Sequence, residues 1–326
     1  LKTENEKKNE KFEINSTLNI KDIADNLDYF YIAEKLRLYC TLLSWKKMYK
    51  LDVEMAGIEE LITKVKNSDF SKIPAISIYY SIFLTYTNEN ETIHYYALKD
   101  LLKSHLNIFS EDVQWELLST AISYCINRVN KGDFEFQIET FTLYKQAIKN
   151  NLSSFSKSLT QTSFRNIVFL ALRVEEYTWA ENFILDYAKY VDEKYRTNAV
   201  EFSLARLEFY KKNYNKVLTH LFRVSYEDVW YNLNAKTLQI ASYYELEEYD
   251  ALESLLQAFK MYIQREKSLT SDRKAHYLHL IKYTSALVRI NPKDKKKVQK
   301  LKDEIENTKG IVSKPWLIEK VNEMLK

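Results

Sequence analysis

Three glycines and three prolines in 326 residues leave this chain almost no way to build a sheet. Strands are joined by turns that draw on Gly and Pro for their special backbone angles, and helix interiors reject both residues. The scarcity predicts an all-α chain. It also removes some chemistry. Gly57, Gly132 and Gly310 lie too far apart to form a dinucleotide fingerprint or a phosphate loop, both of which need clustered glycines.

Apolar residues recur at three- and four-residue spacing almost throughout, which is the helix period. About fifteen helices are expected on that pattern, near 25–48, 53–66, 74–86, 92–105, 111–129, 134–150, 161–174, 177–191, 197–211, 214–223, 227–246, 249–265, 272–290, 293–309 and 314–325. Ser110 and Ser271 stand where N-caps are expected, and Pro74 and Pro315 where a first helical turn tolerates proline. Short connections make neighbouring helices pack as hairpins.

The hairpins repeat. A polar stretch followed by an aromatic that opens an amphipathic helix occurs at Phe134, Tyr177, Tyr214 and Tyr249, at spacings of 43, 37 and 35 residues. A period in this range marks a helix-hairpin solenoid. The stretch from Phe202 to Leu218 resembles a tetratricopeptide repeat, with Leu204 and Ala205 on the first helix and Tyr214 opening the second. Gly132, Tyr243, and the Tyr177–Ala180 spacing also fall on positions of that family. Val168, Ile240 and Gln137 replace its small residues. The resemblance covers 111–265. From Asn166 onward the chain also resembles an uncharacterised bacterial family of helical-repeat proteins. Together these imply a right-handed α-α superhelix. It would follow a flexible polar lead at 1–16 and run as one continuous domain over 17–326, capped by the helices of 293–326.

Composition narrows the function class. With 48 basic and 45 acidic residues the net charge is +3, so no nucleic-acid partner is expected. The 25 tyrosines suit gaps between helices, ring inward and oxygen at the surface. Cys40 and Cys125 fall in apolar helical patterns and make neither a disulfide framework nor a zinc set. No apolar run approaches the ~18 residues of a membrane span, and residues 1–9 lack the apolar core of a signal peptide. A cytoplasmic location fits. The chain begins with Leu, so it is expected to be part of something longer.

Catalytic patterns are scarce. His276 and His279 share a helix face, but no further ligand completes a metal site. Paired acids such as Glu175–Glu176 and Glu247–Glu248 sit where acids complement a helix dipole. The six lysines between 293 and 302 read as a solvated face. No cofactor, metal or enzymatic activity is expected.

The remaining lead is the inner face of the array. The tetratricopeptide resemblance places Arg165, Phe169 and Arg173 there from one first helix, Phe202, Arg206 and Tyr210 from the next, then Asn234, Thr237 and Tyr244, with Asn232 and Lys236 beside them. Arginine forks and amides suit carboxylates and peptide backbone, and aromatics supply anchors. The family's carboxylate clamp is not reproduced, because Phe169 occupies one of its positions. The expectation is a non-catalytic scaffold that binds a protein or peptide. Two alternatives stand beside it: a peptide-sensing regulatory domain of a longer protein, and an enzyme with an unfamiliar site.

Overall fold

The computed structural model describes residues 18–52, 54–150, 153–157 and 159–326. The polar lead at 1–16 lies outside them. Among the described residues the chain is all-α, with sixteen α-helices, three short 3-10 helices and no strand. It forms two compact units that divide between Lys157 and Ser158, each described by itself.

The N-terminal unit holds α1 (Leu18–Tyr49), α2 (Ile58–Lys66), α3 (Pro74–Thr87), α4 (Ile93–His105), α5 (Glu111–Asn130), α6 (Phe136–Lys149) and α7 (Ser153–Lys157). Helix α1 packs on α3, α3 on α4, and α5 on α6. The helix expected from residue 25 begins seven residues earlier and runs 32 residues. The expected helix at 134 begins at Phe136, which is fully buried, whereas Phe134 is exposed.

The C-terminal unit continues with α8 (Gln161–Arg173), α9 (Tyr177–Tyr187), α10 (Glu193–Tyr210), α11 (Tyr214–Phe222), α12 (Val229–Glu245), α13 (Tyr249–Arg265), α14 (Ser271–Arg289), α15 (Lys295–Asn307) and α16 (Lys314–Leu325). Consecutive helices pair from α8 through α14, and α15 pairs with α16. In addition α8 lies beside α10, and α10 beside α12, so these first helices form one continuous layer.

The same turn closes four of the hairpins. Gly132, Glu175, Lys212 and Glu247 all have positive φ, at 104°, 62°, 59° and 59°. In each case the next N–H reaches back five residues: Asp133 to Arg128, Glu176 to Ala171, Asn213 to Glu208 and Glu248 to Tyr243. The N–H of the positive-φ residue itself bonds three residues back. This is the Schellman ending of a helix, which satisfies its last carbonyls and reverses the chain. Its left-handed residue is the one that favours glycine, yet three of the four are long charged side chains. A left-handed residue with a Cβ costs roughly 1–2 kcal/mol, against 0.5–1 kcal/mol for glycine's extra chain entropy. Lys212 is exposed and, among the described residues, stands in no ion pair. Lys212→Gly is therefore expected to stabilise the unit by about 0.5–1 kcal/mol, read as a higher urea midpoint. An unchanged or lower midpoint would mean that the lysine itself supports the turn.

Measured back from these left-handed residues, Val168, Ala205 and Ile240 occupy one equivalent position in α8, α10 and α12, and all three are fully buried. Ala205 packs with Phe202, Val217 and Leu221, so it meets the helix that Tyr214 opens. Leu204, its neighbour, is half-buried. A second core joins Leu252, Phe259 and Ile263 of α13 to Leu280 and Leu287 of α14 and to Trp316, Leu317 and Val321 of α16. Each such side chain contributes about 1.5–3 kcal/mol by leaving water.

Some local expectations shift. Ser110 precedes α5 but makes no side-chain cap bond. The cap of α14 is Thr270, which accepts from the Arg273 N–H, one residue before the expected Ser271. Pro74 and Pro315 do sit in first turns. The lysines at 295–297 and 300 are exposed on α15 while Val298, Leu301 and Ile305 face inward.

Candidate functional site

The layer made by α8, α10 and α12 carries the sequence-predicted inner face. Equivalent positions along it alternate in character. Ten residues before the left-handed turn stand Arg165, Phe202 and Thr237; six before it, Phe169, Arg206 and Ala241; two before it, Arg173, Tyr210 and Glu245. Arginine and phenylalanine thus exchange places between neighbouring helices, and each guanidinium meets a ring of another helix of the layer, Arg165 one of α12 and Arg206 one of α8.

Arg165 is only 7% exposed. Its guanidinium lies 3.8 Å above the Trp230 ring and 4.6 Å from that of Tyr231. One Nη donates to Thr162 Oγ1 at 3.3 Å, while Nε is buried without a partner. Arg206 lies 4.4 Å over Phe169 and 5.9 Å from Phe202, and its Nε is likewise buried and unpartnered. Burial is the main influence on Arg206 and holds its pKa below the usual arginine range; Tyr210 works against that, and the neighbouring charge of Arg173 adds to it. Guanidinium remains charged across the accessible pH range all the same.

The rings form one connected set. Phe169 stacks with Trp230 at 6.4 Å, while Phe202 meets Trp230 edge-on at 5.2 Å and Tyr231 at 5.6 Å. Cation–aromatic contacts stabilise a desolvated arginine by up to about 2 kcal/mol, but a ring face does not accept hydrogen bonds in the guanidinium plane. Among the described residues, neither Arg165, Arg173, Arg206 nor Lys236 has a carboxylate within ion-pair distance. Both buried guanidiniums therefore carry an unused donor.

Not every predicted residue joins this cluster. Arg173 and Tyr210 are exposed at its edge, and Tyr210 also meets Tyr177 at 6.2 Å. Asn234 donates to the Trp230 carbonyl at 2.8 Å, and Thr237 to that of Leu233 at 2.9 Å, so both are used within α12. Asn232 and Lys236 gather instead around Tyr226. Asn232 donates to its carbonyl at 3.3 Å, leaving a buried Oδ1 unpartnered, and Lys236 Nζ lies 5.8 Å from its ring. Burial lowers the pKa of Lys236. Tyr244 packs edge-on against Trp316 of the last helix at 5.4 Å. The residue that organises the cluster, Trp230, was not among those expected. Its signal was a tryptophan in the first turn of α12, just after the Asp228 cap.

The N-terminal unit holds a groove that the residue pattern did not suggest. Cavities of about 280 and 310 Å³ share Ser44, Tyr86 and Thr120. Arg37 and Glu116, 3.9 Å apart, line one of them, and Tyr124, whose hydroxyl is buried without a partner, lines the other. Burial raises the Glu116 pKa and pushes the Cys40 thiol up to about 12. Cys40 is thus a neutral thiol, within bonding distance of the Tyr79 carbonyl at 3.3 Å. Among the described residues no group of three or more His, Cys, Asp or Glu could hold a metal ion, and no helix is long and apolar enough to cross a membrane.

No family model, curated protein or solved structure matches this chain.

Proposed function

We propose that the C-terminal unit is a tetratricopeptide-like, right-handed helical array that binds a protein or peptide segment on the α8–α10–α12 face, without catalysis. The single observation behind this reading is the pair Arg165 and Arg206. Each guanidinium rests on aromatic faces, carries a buried unpartnered Nε and, among the described residues, has no carboxylate within ion-pair distance. Buried charges in folded proteins are ordinarily paired. Two left unpaired on one face suit a ligand that brings its own carboxylate, which an arginine can grip through two parallel hydrogen bonds. The three repeated hairpin turns of this unit, at Glu175, Lys212 and Glu247, supply the rigid backing that such a surface needs.

The test is a peptide array probed with the purified chain and with Arg206→Gln, each scored beside its thermal melt. Arg206 is preferred to Arg165 because the residue as a whole is half-buried, whereas Arg165 is 7% exposed. Retained peptides are expected to carry acidic side chains or a free terminal carboxylate, and retention should fall about tenfold in the variant, equivalent to ~1.4 kcal/mol, with the melt intact. Retention that ignores peptide charge, or a variant that melts early and binds as before, would make both arginines structural.

A further inference from the structure

We infer that the groove between α1 and α5 binds a small molecule carrying one primary ammonium group, with that group against Glu116. The groove crosses α3, and its two cavities of about 280 and 310 Å³ are each near the lower end of small-molecule sites. At one end two carboxylates share one guanidinium. Arg37 donates from Nε and one Nη to Glu34, at 3.0–3.2 Å. Glu116 stands 3.9 Å from the other Nη, beyond hydrogen-bond length, and its carboxylate accepts no hydrogen bond among the described residues. Burial disfavours its charge, and Arg37 offsets only part of that. A carboxylate placed in this way gains from a cation brought beside it.

An ammonium group donates three hydrogen bonds, and the cavity beside Glu116 supplies further acceptors. Thr41 and Thr120 line it one helical turn beyond Arg37 and Glu116. Their hydroxyl protons go to the Arg37 and Glu116 carbonyls, at 3.1 and 2.9 Å, so each oxygen is left to accept. Trp45, 50% exposed, stands in the same wall, and an aromatic face attracts a cation. Tyr79, Ile82 and Leu117 complete a lining that suits an organic amine better than a bare metal ion. The second cavity adjoins the first at Ser44, Tyr86 and Thr120 and takes the body of the molecule beside Met48 and Tyr124. The buried Tyr124 hydroxyl leaves a polar atom for that body to satisfy. At this far end the charge balance reverses. Lys47 and Lys131 share Glu89, and Lys47 lines the cavity, so a second cation is opposed there.

Isothermal titration calorimetry of the whole chain tests this with butylamine, phenethylamine and tryptamine, each beside the alcohol of the same skeleton. At least one amine should bind saturably, and about tenfold or more tighter than its alcohol, the effect of one charge-assisted hydrogen bond. Glu116→Gln should weaken that amine about tenfold and leave the melt unchanged, because its side chain is 42% exposed. If that variant melts early, Trp45→Ala at an exposed position decides: affinity should fall about three- to tenfold with the melt intact. No saturable binding by any of the three amines would overturn the inference. So would an amine bound no better than its alcohol, or full affinity in a folded Glu116→Gln. A lysine side chain carries the same ammonium group. Nα-acetyl-lysine amide bound more tightly than every free amine would overturn the small molecule and make a lysine of another protein the occupant.

Discussion

Lys320→Ala is expected to destabilise the C-terminal unit by about 3–5 kcal/mol, the usual cost of stranding a buried charge. Lys320 on α16 is 5% exposed. Its Nζ lies 2.8 Å from Glu245 at the end of α12, 2.9 Å from Glu323 and 3.6 Å from Glu319. Glu245 also accepts from Trp316 Nε1 at 2.8 Å. Burial is the strongest single influence on Lys320 and opposes its charge, but the hydrogen bonds and charges of the surrounding glutamates together outweigh it, so its pKa is raised. Without the lysine, Glu323 and Glu319 can turn to water, since both are about half exposed. Glu245 cannot, with its side chain only 15% exposed. The variant is read by the urea midpoint. Adding Glu245→Gln, which keeps an acceptor for Trp316, should recover most of the loss, because the unpaired charge and not the lost attraction carries the cost. A raised pKa makes the contribution fully present below the unfolded lysine value near pH ~10.4. It is lost as pH climbs through the higher folded value. A single variant with an unshifted midpoint would show that water reaches Glu245.

The second large effect is Gly310→Ala, expected to cost about 2–5 kcal/mol. That figure combines ~1–2 kcal/mol for a Cβ in left-handed backbone with ~1–3 kcal/mol for overpacking. Gly310 has φ +64°, and a Cβ there would lie 2.1 Å from His276 Nε2. The turn is held from the other side as well. His279 Nδ1 lies 3.0 Å from the Gly310 carbonyl, and the Val312 N–H donates to the His276 carbonyl at 3.3 Å. The i, i+3 histidine pair on α14 therefore braces the connection that returns α16 to the core. Gly310→Ala combined with His276→Ala should regain the steric part and keep the backbone part. Additive losses in that double variant would place the strain elsewhere.

The layer of first helices shows where sequence reading stops. Helix period, turn spacing and the Gly and Pro scarcity are local quantities. They are legible because a hairpin is specified over about forty residues by its own side chains. Hence Ala205 meets the helix that Tyr214 opens and the buried positions of α8, α10 and α12 align, whereas Phe202, expected on an open inner face, is fully buried. The role of each side chain was not legible. Asn234 and Thr237 bond to carbonyls of α12, and Arg165 became nearly buried only because Trp230 lies across it from another helix.

The sequence by itself determined an all-α chain whose neighbouring helices pack on one another, because composition and period act within each helix and its nearest turn. Only the tertiary structure decided the rest. It divided the described chain into two compact units and made Trp230 the centre of the arginine cluster. It buried Lys320 among three glutamates. Each of these depends on which helix meets which across many residues of chain. That choice rests on how whole faces fit, and no single segment contains it.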